Sequence, residues 1–182
     1  MQKSLKLKCQ KIRLVITDVD GVLTDGGRYY SDNEEIFKRF HVRDGMGVNL
    51  LLRNGVDTVI ITKEVSKIVN YWAKSMNVSK VYSGVKIKEK ELEKICKFYK
   101  LSPSNIAFIG DDVNDIELMK MVGLSAAPFD GISQAKKVAD YVCKSPGGDG
   151  AFREVADLIL REKFPNKTKW YWVKFNNYQH QT

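Results

Sequence analysis

The sequence predicts an α/β fold: a parallel sheet with helices on both faces. Short β-branched apolar runs recur along the chain, segments with helical spacing separate them, and acidic or hydroxyl residues follow several of the runs. Residues 12–17, Ile-Arg-Leu-Val-Ile-Thr, form the first run and end at Asp18 and Gly21, so they read as a buried strand and a turn. Over 28–40, two β-favouring flanks enclose the polar Ser31-Asp32-Asn33 turn, the pattern of a hairpin. Met46, Val48, Leu50, Leu51 and Leu52 fit a short helix over 44–53 closed by Asn54-Gly55. Then strand and helix alternate: 58–61 with 65–75, 80–82 with a long charged helix over 86–100, and 106–109 with 115–121. A strand near 124–126, a helix near 132–138, a strand at 141–142 and a closing helix over 151–162 complete the series.

The 182 residues suffice for one domain, placed at 1–165, followed by a tail over 166–182 that mixes Lys with Trp170, Tyr171, Trp172, Phe175 and Tyr178. With 43% hydrophobic and 29% charged residues the chain has the composition of a globular protein. No apolar run approaches the length of a membrane span, and lysines interrupt the N-terminus too often for a secretory signal. Cys9, Cys96 and Cys143 are odd in number and widely spaced, which reads as reduced thiols in the cytoplasm. The net charge of +8 suits an acidic partner: nucleic acid, an anionic membrane or a small phosphorylated substrate. Of the two histidines, His180 lies in the tail, so catalysis is expected from carboxylates, Lys or Cys.

In such sheets ligands sit at the carboxyl ends of the strands. Asp18 and Asp20 follow the first strand, Thr62 the second, and Asp111, Asp112 and Asp115 the fourth. Carboxylates gathered at one edge repel one another unless a cation neutralises them. Oxygen ligands favour Mg²⁺, and a Mg²⁺ with open positions can hold a phosphate oxygen. A phosphoester substrate follows, with Asp18 as nucleophile and Asp20 protonating the departing alkoxide. Thr62 can donate to the phosphoryl oxygens and a Lys at the start of the next helix can neutralise them. Asp112 and Asp115 also stand where helix N-caps fall, and glycines 147, 148 and 150 could serve a tight turn.

With these residues in this order the chain resembles the haloacid dehalogenase-type phosphatases. Asp18-Val19-Asp20-Gly21-Val22-Leu23-Thr24-Asp25-Gly26 is similar to their first motif, in the form carried by small sugar-acid phosphatases. Thr62 is similar to the second, Lys88 to the third, and Gly110-Asp111-Asp112-Val113-Asn114-Asp115 to the fourth. The resemblance runs from about residue 12 to 160 and takes in Val42-Arg43-Asp44-Gly45-Met46-Gly47 and the Gly147-Gly148-Asp149-Gly150 segment.

That resemblance implies a Rossmann-like doubly wound sheet, the haloacid dehalogenase fold, with a small β-hairpin and no cap domain. It implies hydrolysis through an aspartyl-phosphate, with Asp18, Asp20, Thr62 and Lys88 catalytic and Lys86 a competitor for the lysine's role. Mg²⁺ would be held by the side chains of Asp18 and Asp111 and the backbone carbonyl of Asp20, with Asp112 and Asp115 behind them. Arg43, Asp44, Lys63, Glu64 and Arg153 are the candidate substrate contacts. The subfamily resembled acts on phosphorylated 2-keto-3-deoxy sugar acids, octulosonate 8-phosphate or nonulosonate (sialic acid-like) 9-phosphates, and its capless members form tetramers. A homotetramer closing the site is therefore expected. Thr62-Lys63-Glu64 stands where octulosonate enzymes carry Thr-Gly-Arg and nonulosonate enzymes Thr-Gly-Glu, and Glu64 favours the nine-carbon substrate. A non-catalytic oligomerisation module is the alternative, opposed by the retained Asp18, Asp20, Thr62, Lys88 and Asp111. Nucleic-acid binding by the basic, aromatic tail ranks last.

Overall fold

The computed structural model describes residues 2–32 and 34–165, and the tail over 166–182 lies outside them. Eight strands follow one another: β1 (Leu14–Thr17), β2 (Tyr29–Tyr30), β3 (Glu35–Phe37), β4 (Asp57–Ile61), β5 (Lys80–Tyr82), β6 (Ile106–Ile109), β7 (Leu124–Ala127) and β8 (Tyr141–Val142). Six of them form one parallel sheet in the order β5-β4-β1-β6-β7-β8, and β2 pairs with β3 as the separate antiparallel hairpin. From β1 the chain moves outward through β4 to β5, then crosses to β6 on the other side of β1. The reversal of strand order therefore flanks β1, where open α/β sheets bind ligands.

The strands are apolar because both faces are covered. Leu14 and Ile16 point into one cluster with Val59, Ile61 and Phe108, beneath α4 (Leu92–Tyr99), α5 (Ile116–Met121) and α6 (Ser133–Val138). Val15, Ile60, Ala107 and Ile109 point into the other, beneath α1 (Gln2–Lys11), α2 (Val42–Arg53), α3 (Lys67–Ser75) and α7 (Ala151–Lys163). Truncating a fully buried ring such as Phe108 costs about 3–5 kcal/mol, so the strand ends that bear the site stand on a rigid base.

Two elements depart from the sequence expectation. The charged helix expected over 86–100 is a 3-10 turn, Lys88–Glu91, followed by α4, which ends at Lys100 in the left-handed conformation with φ of 54°. The tighter turn lets Lys88 point inward while its neighbours stay wet. Helix α1 is not signalled by the sequence, because its lysines dilute a narrow apolar stripe. Leu5, Cys9 and Ile12, spaced i, i+4 and i+7, pack against the core beside α7. Lys163 Nζ fastens the two helices by donating to the carbonyls of Gln10 (3.2 Å) and Ile12 (2.8 Å). Among the described residues no helix is long and apolar enough to cross a membrane.

Candidate active site

β1 delivers Asp18 to the carboxyl edge, where its N–H donates to the Ile109 carbonyl at 3.0 Å and extends the sheet by one residue. The chain then folds on itself, with the N–H groups of Val22, Leu23 and Thr24 converging on the Val19 carbonyl at 3.2, 2.9 and 3.0 Å. Gly21 makes this turn with φ of +84°, and a Cβ there would stand 2.1 Å from Asp111 Oδ2. Only glycine lets the turn and the carboxylate share that space. The loop before α7 lies on the same turn: Gly148 donates to the Val22 carbonyl at 2.9 Å, and a Cβ on Gly147 would stand 2.0 Å from the Gly21 carbonyl oxygen.

β6 delivers Asp111 from the other side of β1. The loop that follows is organised by Asp115, whose Oδ2 accepts from the N–H groups of Asp111 (2.9 Å) and Asp112 (3.2 Å). Its Oδ1 meets Lys88 Nζ at 2.5 Å, and the same ammonium lies 2.8 Å from Asp18 Oδ2. Lys88 and Asp115 are wholly buried, so Lys88 rather than the exposed Lys86 is the lysine of the cluster. Asp112 is exposed and accepts from Val113 N–H at 2.7 Å, as a helix cap does.

Electrostatics sharpens the picture. Burial works against the Lys88 charge, but Asp18 and Asp115 outweigh it and hold the ammonium above its ordinary pKa. Burial raises the Asp18 carboxyl to about 6, with Lys88 opposing and Asp115 adding to the rise. For Asp111, burial followed by repulsion from Asp18 and Asp115 pushes the carboxyl up to about 8. One lysine cannot neutralise three acids. Each of Asp18, Asp111 and Asp115 offers an oxygen within 4.8 Å of the others, and Asp111 Oδ1 is buried without a hydrogen-bond partner among the described residues. A hard divalent cation beside Asp18 and Asp111 would satisfy that orphan oxygen and remove the repulsion. Asp115 has both oxygens engaged by Lys88 and two backbone N–H groups, so its part is to hold the others in place.

Thr62 follows β4, buried, its Oγ1 accepting from Glu64 N–H at 3.3 Å. Asp20 is not one of the three clustered acids: its Oδ1 meets Thr24 Oγ1 (3.5 Å) and the ammonium of Lys38, with which it is paired. Sequence reasoning missed Lys38, whose side chain is 0% exposed and which also meets Glu35 Oε1 at 3.0 Å. Burial opposes its charge, yet Asp20 and Glu35 keep its pKa raised. The Glu35-x-x-Lys38 spacing was the one available signal, and on an exposed hairpin it resembles any surface pair.

The expected substrate contacts divide. Lys63 is exposed beside Thr62, and Glu64 is paired with Arg28 Nη2 at 3.3 Å. Arg43 and Arg153 line a groove of about 470 Å³ with Glu154 and Asp157, apart from the clustered acids. Asp44 is corrected to a structural residue: it is fully buried, and its oxygens accept from the N–H groups of Gly150 (3.2 Å) and Arg153 (2.9 Å) at the start of α7. Its burial keeps it out of a substrate's reach.

An aspartate-bearing turn after the central strand, a buried lysine and an acidic loop after the neighbouring strand define a class. Residues 55–155 match the haloacid dehalogenase-like hydrolases, and the chain belongs to that family. It is a phosphatase. The chain is 39% identical, over 153 residues, to 3-deoxy-D-manno-octulosonate 8-phosphate phosphatase KdsC of Escherichia coli K12, covering 84% of this chain and 81% of that protein. The Yersinia pestis enzyme of the same name has a crystal structure that superposes with a TM-score of 0.85 at 37% identity, covering 88% of this chain and 86% of that one. The Moraxella catarrhalis phosphatase, in complex with a magnesium ion, a phosphate ion and KDO, superposes with a TM-score of 0.86 at 34% identity, covering 90% and 94%.

Proposed function

We propose that this enzyme is a Mg²⁺-dependent phosphomonoesterase that releases phosphate from the terminal carbon of a 2-keto-3-deoxy sugar acid, with 3-deoxy-octulosonate 8-phosphate as first choice. The observation that carries the chemistry is the buried Asp18–Lys88–Asp115 chain set against Asp111 with its spare oxygen. The choice of sugar is supported by relatives of that activity along most of the chain.

Asp18 attacks phosphorus while Asp20 gives its proton to the departing alkoxide oxygen. Water then attacks the resulting aspartyl-phosphate, and Asp20 takes the proton back. Thr62 donates its hydroxyl to the phosphoryl oxygens. Lys88 orients Asp18 and balances charge that grows on those oxygens. Asp18 and Asp111, with the carbonyl of Asp20, would hold Mg²⁺, which supplies positive charge against the phosphoryl group.

A second reading, nonulosonate 9-phosphate, is favoured by Glu64, whose carboxylate can accept from sugar hydroxyls at the rim. Its pairing with Arg28 weakens that argument. Reduced Cys9, Cys96 and Cys143 suit a cytoplasmic setting. The hairpin exposes Tyr29, Tyr30, Ile36 and Phe37 by about half or more, a surface suited to burial in a homotetramer that would also close the open site.

The test is kcat/KM for the two phosphates with Mg²⁺ present, compared with Asp18→Asn. A ratio favouring the eight-carbon substrate supports the first reading, and the opposite ratio supports the second. Full activity of Asp18→Asn would end the phosphatase mechanism itself, because a neutral amide cannot form the acyl-phosphate.

A further inference from the structure

Asp20 does not reach its place unaided. Its Oδ1 receives the Lys38 ammonium and, at 3.5 Å, the Thr24 hydroxyl, while among the described residues no hydrogen bond reaches Oδ2. Lys38 follows directly on β3, so the cation that grips Asp20 belongs to the hairpin and not to the sheet. The grip is anchored in turn. Glu35 Oε1 meets Lys38 Nζ and Arg28 Nε, each at 3.0 Å, and its Oε2 accepts from Ser66 Oγ at 2.9 Å. Arg28 continues to Glu64, two residues beyond Thr62. One unbroken series of charged contacts thus joins Asp20, the hairpin and the loop that carries Thr62.

A lysine whose side chain is completely buried loses its hydration and freedom of movement, so such a cation persists only where its partners fix it. Those partners lie on two separate segments, and the ammonium holds them at one separation. We propose that Lys38 is a positioning residue for the reaction: it fixes Asp20 by one oxygen, leaves the other towards the leaving group, and makes the hairpin part of the acid–base machinery. The inference rests on the phosphatase reading, in which Asp20 serves the leaving group. Among the described residues its contacts are to Asp20 and Glu35, and none reaches the clustered acids.

Leaving groups that need a proton provide the test. An alkyl phosphate departs as a strongly basic alkoxide and depends on Asp20, whereas an aryl phosphate departs as a stable phenolate. The parameter to compare is kcat/KM, which reports steps through departure of the leaving group and excludes hydrolysis of the aspartyl-phosphate. Lys38→Met keeps most of the side chain's apolar stem and removes its charge. The ratio of kcat/KM for a sugar-acid phosphate to that for para-nitrophenyl phosphate should fall about tenfold or more, within the contribution of a general acid. A purely structural loss would lower both values together and leave the ratio unchanged, and that result would overturn the proposal.

Asp20→Asn should lower the same ratio, and Lys38→Met added to it should lower it no further, since the two act as a unit. A further multiplicative fall would show that Lys38 acts elsewhere and would also overturn the proposal. If Lys38→Met does not fold, Glu35→Gln carries the test by weakening the anchor: a lowered ratio supports the positioning role and an unchanged ratio refutes it. Failure of the phosphatase reading is separately visible, because the unaltered enzyme would then release phosphate from neither compound.

Discussion

Alanine at Gly21 should do two separable things, and Gly55 offers the means to separate them. Both glycines adopt positive φ, +84° and +72°, so an alanine at either position strains the backbone by about 1–2 kcal/mol. For a domain of this size that lowers the unfolding temperature by about 2–4 °C per kcal/mol. At Gly55 nothing lies within 4 Å of the added methyl, and the effect ends there. At Gly21 the methyl would stand 2.1 Å from Asp111 Oδ2, so the carboxylate must retreat by about 1 Å or more to reach ordinary contact. A displacement of that size at a reacting site costs on the order of 10²-fold in rate. Thermal unfolding with and without Mg²⁺, together with kcat/KM, distinguishes the two variants. Gly55→Ala should keep its Mg²⁺-induced stabilisation and its activity, while Gly21→Ala should lose most of both. Equal behaviour of the two, or wild-type kcat/KM for Gly21→Ala, would refute the assignment of Asp111 to the cation.

Mg²⁺ should raise the unfolding temperature more at pH 8 than at pH 6. Burial, then Asp18 and Asp115, raise Asp111 from near 4 to about 8, so in the cation-free protein its stabilising contribution is complete below about pH 4 and is lost as pH rises through 8. Cation binding requires the carboxylate and strengthens over the same interval, and a pH-independent increment would count against the site. Asp44→Ala should cost about 2–4 kcal/mol in urea unfolding, because it strands two N–H groups at the start of α7. Loss of kcat/KM at unchanged stability would instead restore Asp44 as a substrate contact. Light scattering should give the mass of a tetramer, and replacing Ile36 and Phe37 by Ser should shift it towards smaller species; a fully active monomer at assay concentration would exclude the tetramer.

What could be read in the sequence follows from the fold. Parallel strands covered on both faces are continuous apolar runs, so the strands of the sheet stand out, and the candidate site residues Asp18, Thr62 and Asp111 stand just past their ends. Lys88 and Asp115 were legible as positions, though only the three-dimensional arrangement shows one ammonium shared between Asp18 and Asp115. Residues whose role arises from distant partners left no such trace. Asp44 reads as a surface acid at a helix start until α7 arrives on it, and Lys38 reads as one more lysine among thirty Lys and Arg. Helix α1 was hidden for a related reason: two or three buried side chains among many lysines decide its face, and that choice depends on α7 being there to receive it.

The loop before α7, pressed backbone to backbone against the turn at Gly21, sets a timetable. Asp18 follows β1, yet the turn behind it is braced by residues synthesised only after β8. When a ribosome has extruded β8, every strand of the sheet among the described residues exists, but Gly147, Gly148 and α7 do not. The emerging chain can therefore hold a nearly complete sheet with the Asp18 turn unbraced, and the brace arrives together with closure of the core by Phe152, Val155 and Ile159. A chain interrupted after β8 therefore keeps the strands of the sheet and lacks the brace behind Asp18.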